Sequence, residues 1–155
     1  MKNKKQICVS ESPGQTKVMG KLLAQKFLKA RPGKSARILT LSGDLSAGKT
    51  NFVQGFAKGL GVRETINSPT FAIMKKYPLA GALGYENFYH IDCYRLDLPA
   101  DLEFLGIEKI FTDSRNIVAV EWPDIMAKFL PEDAIKIGFE ITGKNSRRVL
   151  FGSDL

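Results

Sequence analysis

Apolar residues follow two different spacings along the chain, and these spacings predict strands that alternate with helices. Short β-rich apolar runs predict strands at residues 7–10, 37–42, 71–76, 88–92, 117–121, 134–141 and 147–151. Apolar residues three or four positions apart predict helices at residues 12–31, 49–61, 99–111 and 123–130. A hairpin turn is expected at TGKNS, residues 142–146. This order predicts an α/β fold, a three-layer α/β/α sandwich around a mixed, mostly parallel sheet.

The first predicted helix has a clear start, because Ser12 can cap it, Pro13 suits its first turn, and Gln15 completes a capping box. Pro32 and Gly33 should end it. Its buried side is predicted to carry Val18, Leu22, Phe27 and Ala30, while Lys17, Lys21 and Lys29 face solvent.

Composition narrows the class of protein. The chain has 155 residues, 44% of them hydrophobic, which suits one soluble domain over residues 1–155. Its net charge of +7 favours an anionic partner and leaves nucleic acid, a nucleotide or an acidic protein surface open. With no apolar run of about 20 residues and no signal-peptide core, we expect no membrane association and a cytoplasmic location. Cys8 and Cys93 are expected as buried, reduced thiols.

The segment GDLSAGKT, here called the glycine loop (residues 43–50), matches the pattern G-x-x-x-x-G-K-[ST]. Because it lies between a predicted strand and a predicted helix, its backbone N–H groups would surround a β-phosphate at the positive end of the helix dipole. Lys49 would reach the β- and γ-phosphates, and Thr50 would join the shell of a bound Mg²⁺. A plain turn would require neither Lys nor Thr after the second glycine. The predicted nucleotide-binding residues are therefore Gly43, Asp44, Leu45, Ser46, Ala47, Gly48, Lys49 and Thr50.

Two carboxylates, Asp92 and Glu121, each end an apolar strand, where ligands gather in open α/β sheets. Acids at strand ends also cap helices and pair with arginines, so this alternative stays open. His90 lies on the same strand face as Asp92, where we favour a hydrogen-bonded structural role over proton transfer. Trp122 follows Glu121 in a loop and could stack on an adenine ring or belong to the core or an interface.

The segment INSPTF contains a candidate switch at Ser68, Pro69 and Thr70. Pro69 forces Ser68 into an extended conformation just before a predicted strand, the position of a phosphate-sensing segment. A turn or an N-cap is the alternative.

The motifs GDLSAGKT, SPTF, HIDCYRL and VEWPD, in this order, resemble the bacterial TsaE (YjeE) family over nearly the whole chain. That resemblance implies a P-loop NTPase-like α/β fold, ATP as substrate with Mg²⁺, and a role in threonylcarbamoyladenosine (t6A) modification of tRNA. It implies TsaB and TsaD as partners, with tRNA contacted indirectly or weakly through a basic surface, and hydrolysis that depends on the partners. TsaD would modify the adenosine beside the anticodon.

The resemblance also implies roles for individual residues. Thr50 and Glu121 would hold Mg²⁺, Asp92 would serve hydrolysis together with Glu121 and Lys49, Trp122 would lie near adenine, and Thr16 would lie on the adenine side. The chain departs from the family pattern at Ser46, where a third glycine is usual. A residue with a Cβ resists positive φ, so this departure concerns the backbone geometry of the loop.

Two other functions share these motifs. A small-molecule kinase would need an acceptor pocket and usually an arginine-bearing lid, whereas the paired arginines Arg147 and Arg148 lie at the predicted hairpin. A nucleotide-dependent switch would bind without useful hydrolysis. The glycine-rich loop around residues 78–86 has no assigned role.

Overall fold

One sheet of seven strands organises the described residues, 5–67 and 72–152, of this computed structural model. The strands are β1 (Gln6–Ser10), β2 (Arg37–Gly43), β3 (Met74–Pro78), β4 (Asn87–Asp92), β5 (Asn116–Glu121), β6 (Ile135–Ile141) and β7 (Arg147–Phe151). The helices are α1 (Pro13–Lys29), α2 (Lys49–Gly59), α3 (Pro99–Phe104) and α4 (Ile107–Thr112), with 3₁₀ turns at Ala82–Gly84 and Pro123–Met126.

The sheet has the strand order β1-β7-β6-β2-β5-β4-β3. The four central strands β6, β2, β5 and β4 are parallel, whereas β1, β7 and β3 join antiparallel at the edges. The predicted mixed α/β sheet is confirmed, but parallel pairing is confined to the centre. The turn between β6 and β7 is too short for a crossover, so that pair must be antiparallel.

Helices cover the sheet on both faces. Helices α1 and α2 pack on one face in a cluster that includes Leu39, Ile117 and Ile137. Helices α3 and α4 pack on the other face, against Val118 and Val120 among others. Every residue of β5 is therefore buried, as expected for a central parallel strand. The predicted three-layer arrangement is confirmed.

Helix α1 buries Phe27 and exposes Lys17, Lys21 and Lys29 as predicted, but the rest of its buried side differs from the prediction. Val18 and Leu22 are 55% and 59% exposed, and Ala30 is the exposed C-cap. The buried residues are Thr16, Gly20, Leu23, Ala24 and Phe27. The glycines explain the difference, because a Cβ on Gly20 would lie 2.1 Å from the Phe52 carbonyl oxygen. Close approach to α2 thus selects the side of α1 with the smallest residues.

Three other element predictions need correction. The single helix expected at residues 99–111 is divided into α3 and α4 at Gly106, which adopts a φ of 71°. Residues 123–130 form only a short 3₁₀ turn, followed by further turns. Strand β3 begins at Met74 rather than at Phe71, which lies outside the described residues.

The two cysteines differ in burial. Cys93 is buried as predicted, and burial raises the pKa of its thiol to about 12, with the charge of Asp92 acting in the same direction. Cys8 is only half-buried, because it lies on the edge strand β1, which pairs with β7 alone. Within residues 5–67 and 72–152, no helix is both long and apolar enough to cross a membrane.

Candidate functional site

The glycine loop joins the end of β2 to the start of α2, where three residues have left-handed φ values. These are Gly43 at 148°, Ser46 at 64° and Gly48 at 102°. A Cβ on Gly43 would lie 2.6 Å from the carbonyl oxygen of Phe139, so this position needs glycine. The expected strain at Ser46 is present, because a serine adopts a conformation that glycine enters at no cost.

Helix α2 begins without a capping side chain. Its N-cap is Gly48, and no side-chain hydrogen bond caps this 11-residue helix within the described residues. Such a helix start attracts anions through its dipole and its orphan donors.

Lys49 lies across this loop with 5% of its surface exposed. Its ammonium donates to the backbone carbonyls of Gly43 and Asp44 and lies 4.1 Å from the centre of the Trp122 ring. Burial lowers the pKa of Lys49 below its ordinary value of 10.5, although the nearby carboxylates, Glu121 foremost, oppose that shift. The loop therefore holds a buried cation beside the start of α2.

The two predicted carboxylates lie side by side at the carboxyl ends of neighbouring parallel strands, where Asp92 pairs in register with Glu121. Thr50 Oγ1 donates to Glu121 Oε1 over 3.3 Å. Asp92 Oδ1 accepts from the backbone N–H of Tyr94 at 3.0 Å, so this carboxylate also caps a turn. The fold thus brings Lys49, Thr50, Asp92 and Glu121 to one edge of the sheet.

Glu121 has a second partner, His90, on the adjacent strand. The His90 Nε2 atom lies 2.6 Å from Glu121 Oε2, and both side chains are almost fully buried. The hydrogen-bonded role predicted for His90 is therefore observed. Its other ring nitrogen, Nδ1, is buried without a hydrogen-bond partner among the described residues.

Trp122 lies beside the lysine rather than deep in the core. Its backbone adopts a φ of 55°, and its backbone N–H donates to the Leu41 carbonyl. The half-buried indole ring contacts Tyr94 with ring centres 4.9 Å apart, and it also covers Lys49. Trp122 thus lies beside the Lys49 ammonium and also packs against the core on the α3–α4 face, and contact with adenine stays a prediction.

Thr16, in the first turn of α1, lies close to the glycine loop. It is buried and shares a hydrogen bond of 2.8 Å with the Ser10 hydroxyl. A Cβ on Gly48 would lie 3.6 Å from its methyl group. The start of α1 is therefore in close reach of the glycine loop at Gly48.

An open cavity of about 600 Å³ lies at this site and is lined by residues 45–51, Asp92, Tyr94, Arg95, Glu121 and Trp122. Tyr94 and Arg95 were not among the predicted site residues, although they follow Asp92 closely in DCYR. A second cleft of about 620 Å³ lies along β6 and β7, apart from the lysine and the paired carboxylates. The predicted switch residues Ser68, Pro69 and Thr70 lie outside the described residues.

The oxygen ligands of the cavity suit a hard cation. Thr50 and Glu121 supply a hydroxyl and a carboxylate within hydrogen-bonding distance of each other. Among the described residues, no group of three or more His, Cys, Asp or Glu could hold a metal ion alone. Mg²⁺ typically binds through one or two carboxylates together with substrate phosphates and waters, so Thr50 and Glu121 are the residues that could hold it here.

Comparison with known proteins gives a consistent result. The family model described as threonylcarbamoyl adenosine biosynthesis protein TsaE matches residues 10–149. A tRNA threonylcarbamoyladenosine biosynthesis protein TsaE from Bacillus subtilis is 38% identical over 140 residues, covering 90% of this chain and 80% of the relative. The protein of the same name from Haemophilus influenzae is 38% identical over 122 residues, covering 78% of this chain and 73% of the relative.

The fold agrees with that result. The crystal structure of Bacillus subtilis YdiB superimposes with a TM-score of 0.72 at 31% identity, covering 98% of this chain and 87% of that one. The matched region includes the glycine loop, both carboxylates and Trp122. The chain therefore belongs to the TsaE family of threonylcarbamoyladenosine biosynthesis proteins.

Proposed function

We propose that this chain is the Mg²⁺-dependent, ATP-hydrolysing component of the t6A modification system of tRNA. The observation that carries the proposal is the convergence of the uncapped α2 start, Lys49 and the Thr50–Glu121 pair on one cavity. The names of the Bacillus and Haemophilus relatives support the pathway.

Nucleotide binding would depend on the glycine loop. The N–H groups at the start of α2 would receive the phosphates, and Lys49 would exchange its two loop carbonyls for phosphate oxygens. This exchange is favourable because a hydrogen bond from a buried ammonium to an anionic oxygen is stronger than one to a neutral carbonyl.

Thr50 and Glu121 would hold Mg²⁺, which would neutralise charge on the phosphates when bound. Glu121 is suited to this role because His90 fixes one carboxylate oxygen and leaves the other facing Thr50. Hydrogen bonds of this kind orient metal ligands in many sites.

Asp92 would serve hydrolysis. It lies next to Glu121 at the same sheet edge, and its Oδ1 is oriented by the Tyr94 N–H. A carboxylate in this position can orient an attacking water and accept its proton. Arg95, which lines the same cavity, would add positive charge near the transferred phosphoryl group.

We further propose that the chain functions as one domain in the cytoplasm with the TsaB and TsaD proteins. TsaD would carry out the transfer to the adenosine beside the anticodon, and this chain would contact tRNA indirectly or weakly. The net charge of +7 is compatible with such an anionic assembly.

Binding and turnover can be tested on one set of samples. Calorimetric titration with ADP and Mg²⁺ should show binding to the wild type and at least a tenfold loss in Lys49→Ala. Lys58→Ala is the matched control, because this exposed lysine lies on the same helix outside the cavity. Wild-type affinity in Lys49→Ala would refute the role of the loop.

Phosphate release should then be measured with and without purified TsaB and TsaD. Release to water that increases with the partners supports the ATPase proposal. Transfer that requires an added small-molecule acceptor would indicate a kinase. Binding without any release would indicate a nucleotide-dependent switch.

A further inference from the structure

Arg147 connects the hairpin at the end of the sheet to the glycine loop. Its Nη2 donates to the Ser46 carbonyl over 3.0 Å, a contact between residues 101 positions apart. Its Nη1 donates to the carbonyls of Gly143 and Ser146, at 3.0 Å and 2.8 Å. One guanidinium therefore ties the β6–β7 turn to the loop at a single point.

That point is the strained residue of the loop. Ser46 has a φ of 64°, a conformation disfavoured for a residue with a Cβ. Such a conformation persists when surrounding contacts hold it, and Ser46 itself is exposed to solvent. The bond from Arg147 supplies a holding contact at its carbonyl.

The register of the sheet places Arg147 beside the loop. On β7 it pairs with Ser10 on one side and Ile141 on the other. Its Cγ would lie 3.9 Å from a Cβ on Gly48, and the methyl group of Thr16 would lie 3.6 Å from the same point. Thr16 and Arg147 therefore both lie close to the glycine loop at Gly48.

The bonds of Arg147 indicate positioning rather than ordinary ion pairing. Among the described residues no carboxylate pairs with Arg147, and its guanidinium donates to four backbone carbonyls. Its neighbour Arg148, by contrast, forms an exposed ion pair with Glu140 at 2.9 Å. A planar guanidinium can bridge two groups of carbonyls, which a lysine ammonium cannot reproduce.

We propose that Arg147 is a positioning residue of the nucleotide site, which holds Ser46 in its left-handed conformation and so keeps the N–H groups of the glycine loop directed at phosphate. The proposal rests on the proposed nucleotide binding. It assigns Arg147 no direct contact with the nucleotide. Its consequence is energetic coupling between Arg147 and Ser46, since glycine at position 46 would adopt the same φ without the restraint.

The test is a double-mutant cycle read out as ADP affinity by calorimetry. Arg147→Met should weaken ADP binding about tenfold, which corresponds to about 1.4 kcal/mol. Ser46→Gly is measured alone as the reference for the double variant, because this substitution changes the loop directly. The double variant Ser46→Gly with Arg147→Met should recover most of the lost affinity. Arg148→Met, the matched control, should bind ADP like the wild type.

Arg147→Lys separates positioning from charge attraction. If Arg147 positions the loop, Arg147→Lys should behave like Arg147→Met and be rescued by Ser46→Gly. Wild-type affinity in Arg147→Lys, or failure of Ser46→Gly to rescue either variant, would overturn the proposal. Circular dichroism of each sample identifies loss of folding, for which the lysine variant is the milder substitution. Absence of ADP binding in the wild type would instead refute the proposed function itself.

Discussion

The buried pair of His90 and Glu121 provides a quantitative test of how the site holds its carboxylate. His90→Leu removes the N–H that lies 2.6 Å from Glu121 Oε2, while the new side chain fills a comparable volume. Losing a hydrogen bond to a charged acceptor costs about 1.5–3 kcal/mol, and breaking a buried ion pair costs about 3–5 kcal/mol.

Two features of the structure place the expected cost of His90→Leu at the lower end, about 2–3 kcal/mol of unfolding free energy. Glu121 keeps a second hydrogen bond, from Thr50 at 3.3 Å. The substitution also removes the buried Nδ1 atom, which has no partner among the described residues. For a protein of this size, such a loss lowers the melting temperature by about 5–10 °C.

The assay is urea unfolding followed by circular dichroism, on wild type, His90→Leu and the control His90→Gln. The glutamine amide can place an N–H near the position of Nε2, so His90→Gln should recover at least half of the lost stability. Calorimetry should show that His90→Leu weakens Mg²⁺-dependent ADP binding more than Mg²⁺-free binding, because Glu121 loses its orientation. Equal stability of wild type and His90→Leu, or no benefit from glutamine, would refute this account of the carboxylate.

Three further predictions concern other residues. Glu121→Gln should retain ADP binding but lose Mg²⁺-dependent phosphate release, because a hard cation prefers an anionic oxygen to an amide oxygen. Unchanged turnover across a Mg²⁺ titration would show that Glu121 is not a metal ligand. Trp122→Ala should weaken ADP binding about fivefold with little loss of melting temperature, whereas a sharp fall in melting with normal binding would indicate a core role. Native protein treated with iodoacetamide near neutral pH should be alkylated at Cys8 and not at Cys93, because burial raises the Cys93 pKa to about 12; mass spectrometry that detects Cys93 alkylated before unfolding would contradict this.

The pH dependence of Cys93 follows from the same shift. Its folded pKa of about 12 lies above the ordinary value of 9.0, so the unfolded chain releases this proton first. The thiol therefore makes the protein less stable as the pH rises from about 9 to about 12.

Local sequence was sufficient where the structure depends on neighbouring residues. The glycine loop follows from two glycines, Lys49 and Thr50 between a strand and a helix, since each residue is needed by the backbone geometry or the chemistry of its own segment. The start of α1 at Ser12 could also be predicted from the sequence, because the Ser12 side chain accepts from the backbone N–H of Gln15, only three residues further along the chain. Alternating apolar runs likewise predicted the α/β class.

Other features depended on contacts between distant segments. Apart from Phe27, the buried side of α1 was predicted wrongly, because the glycine contacts with α2 select that side and the apolar periodicity does not record them. The partnership of His90 with Glu121 and that of Arg147 with Ser46 join residues 31 and 101 positions apart. Strand order and register alone bring such residues together, so only the tertiary structure could assign the partners that orient the carboxylate and brace the loop.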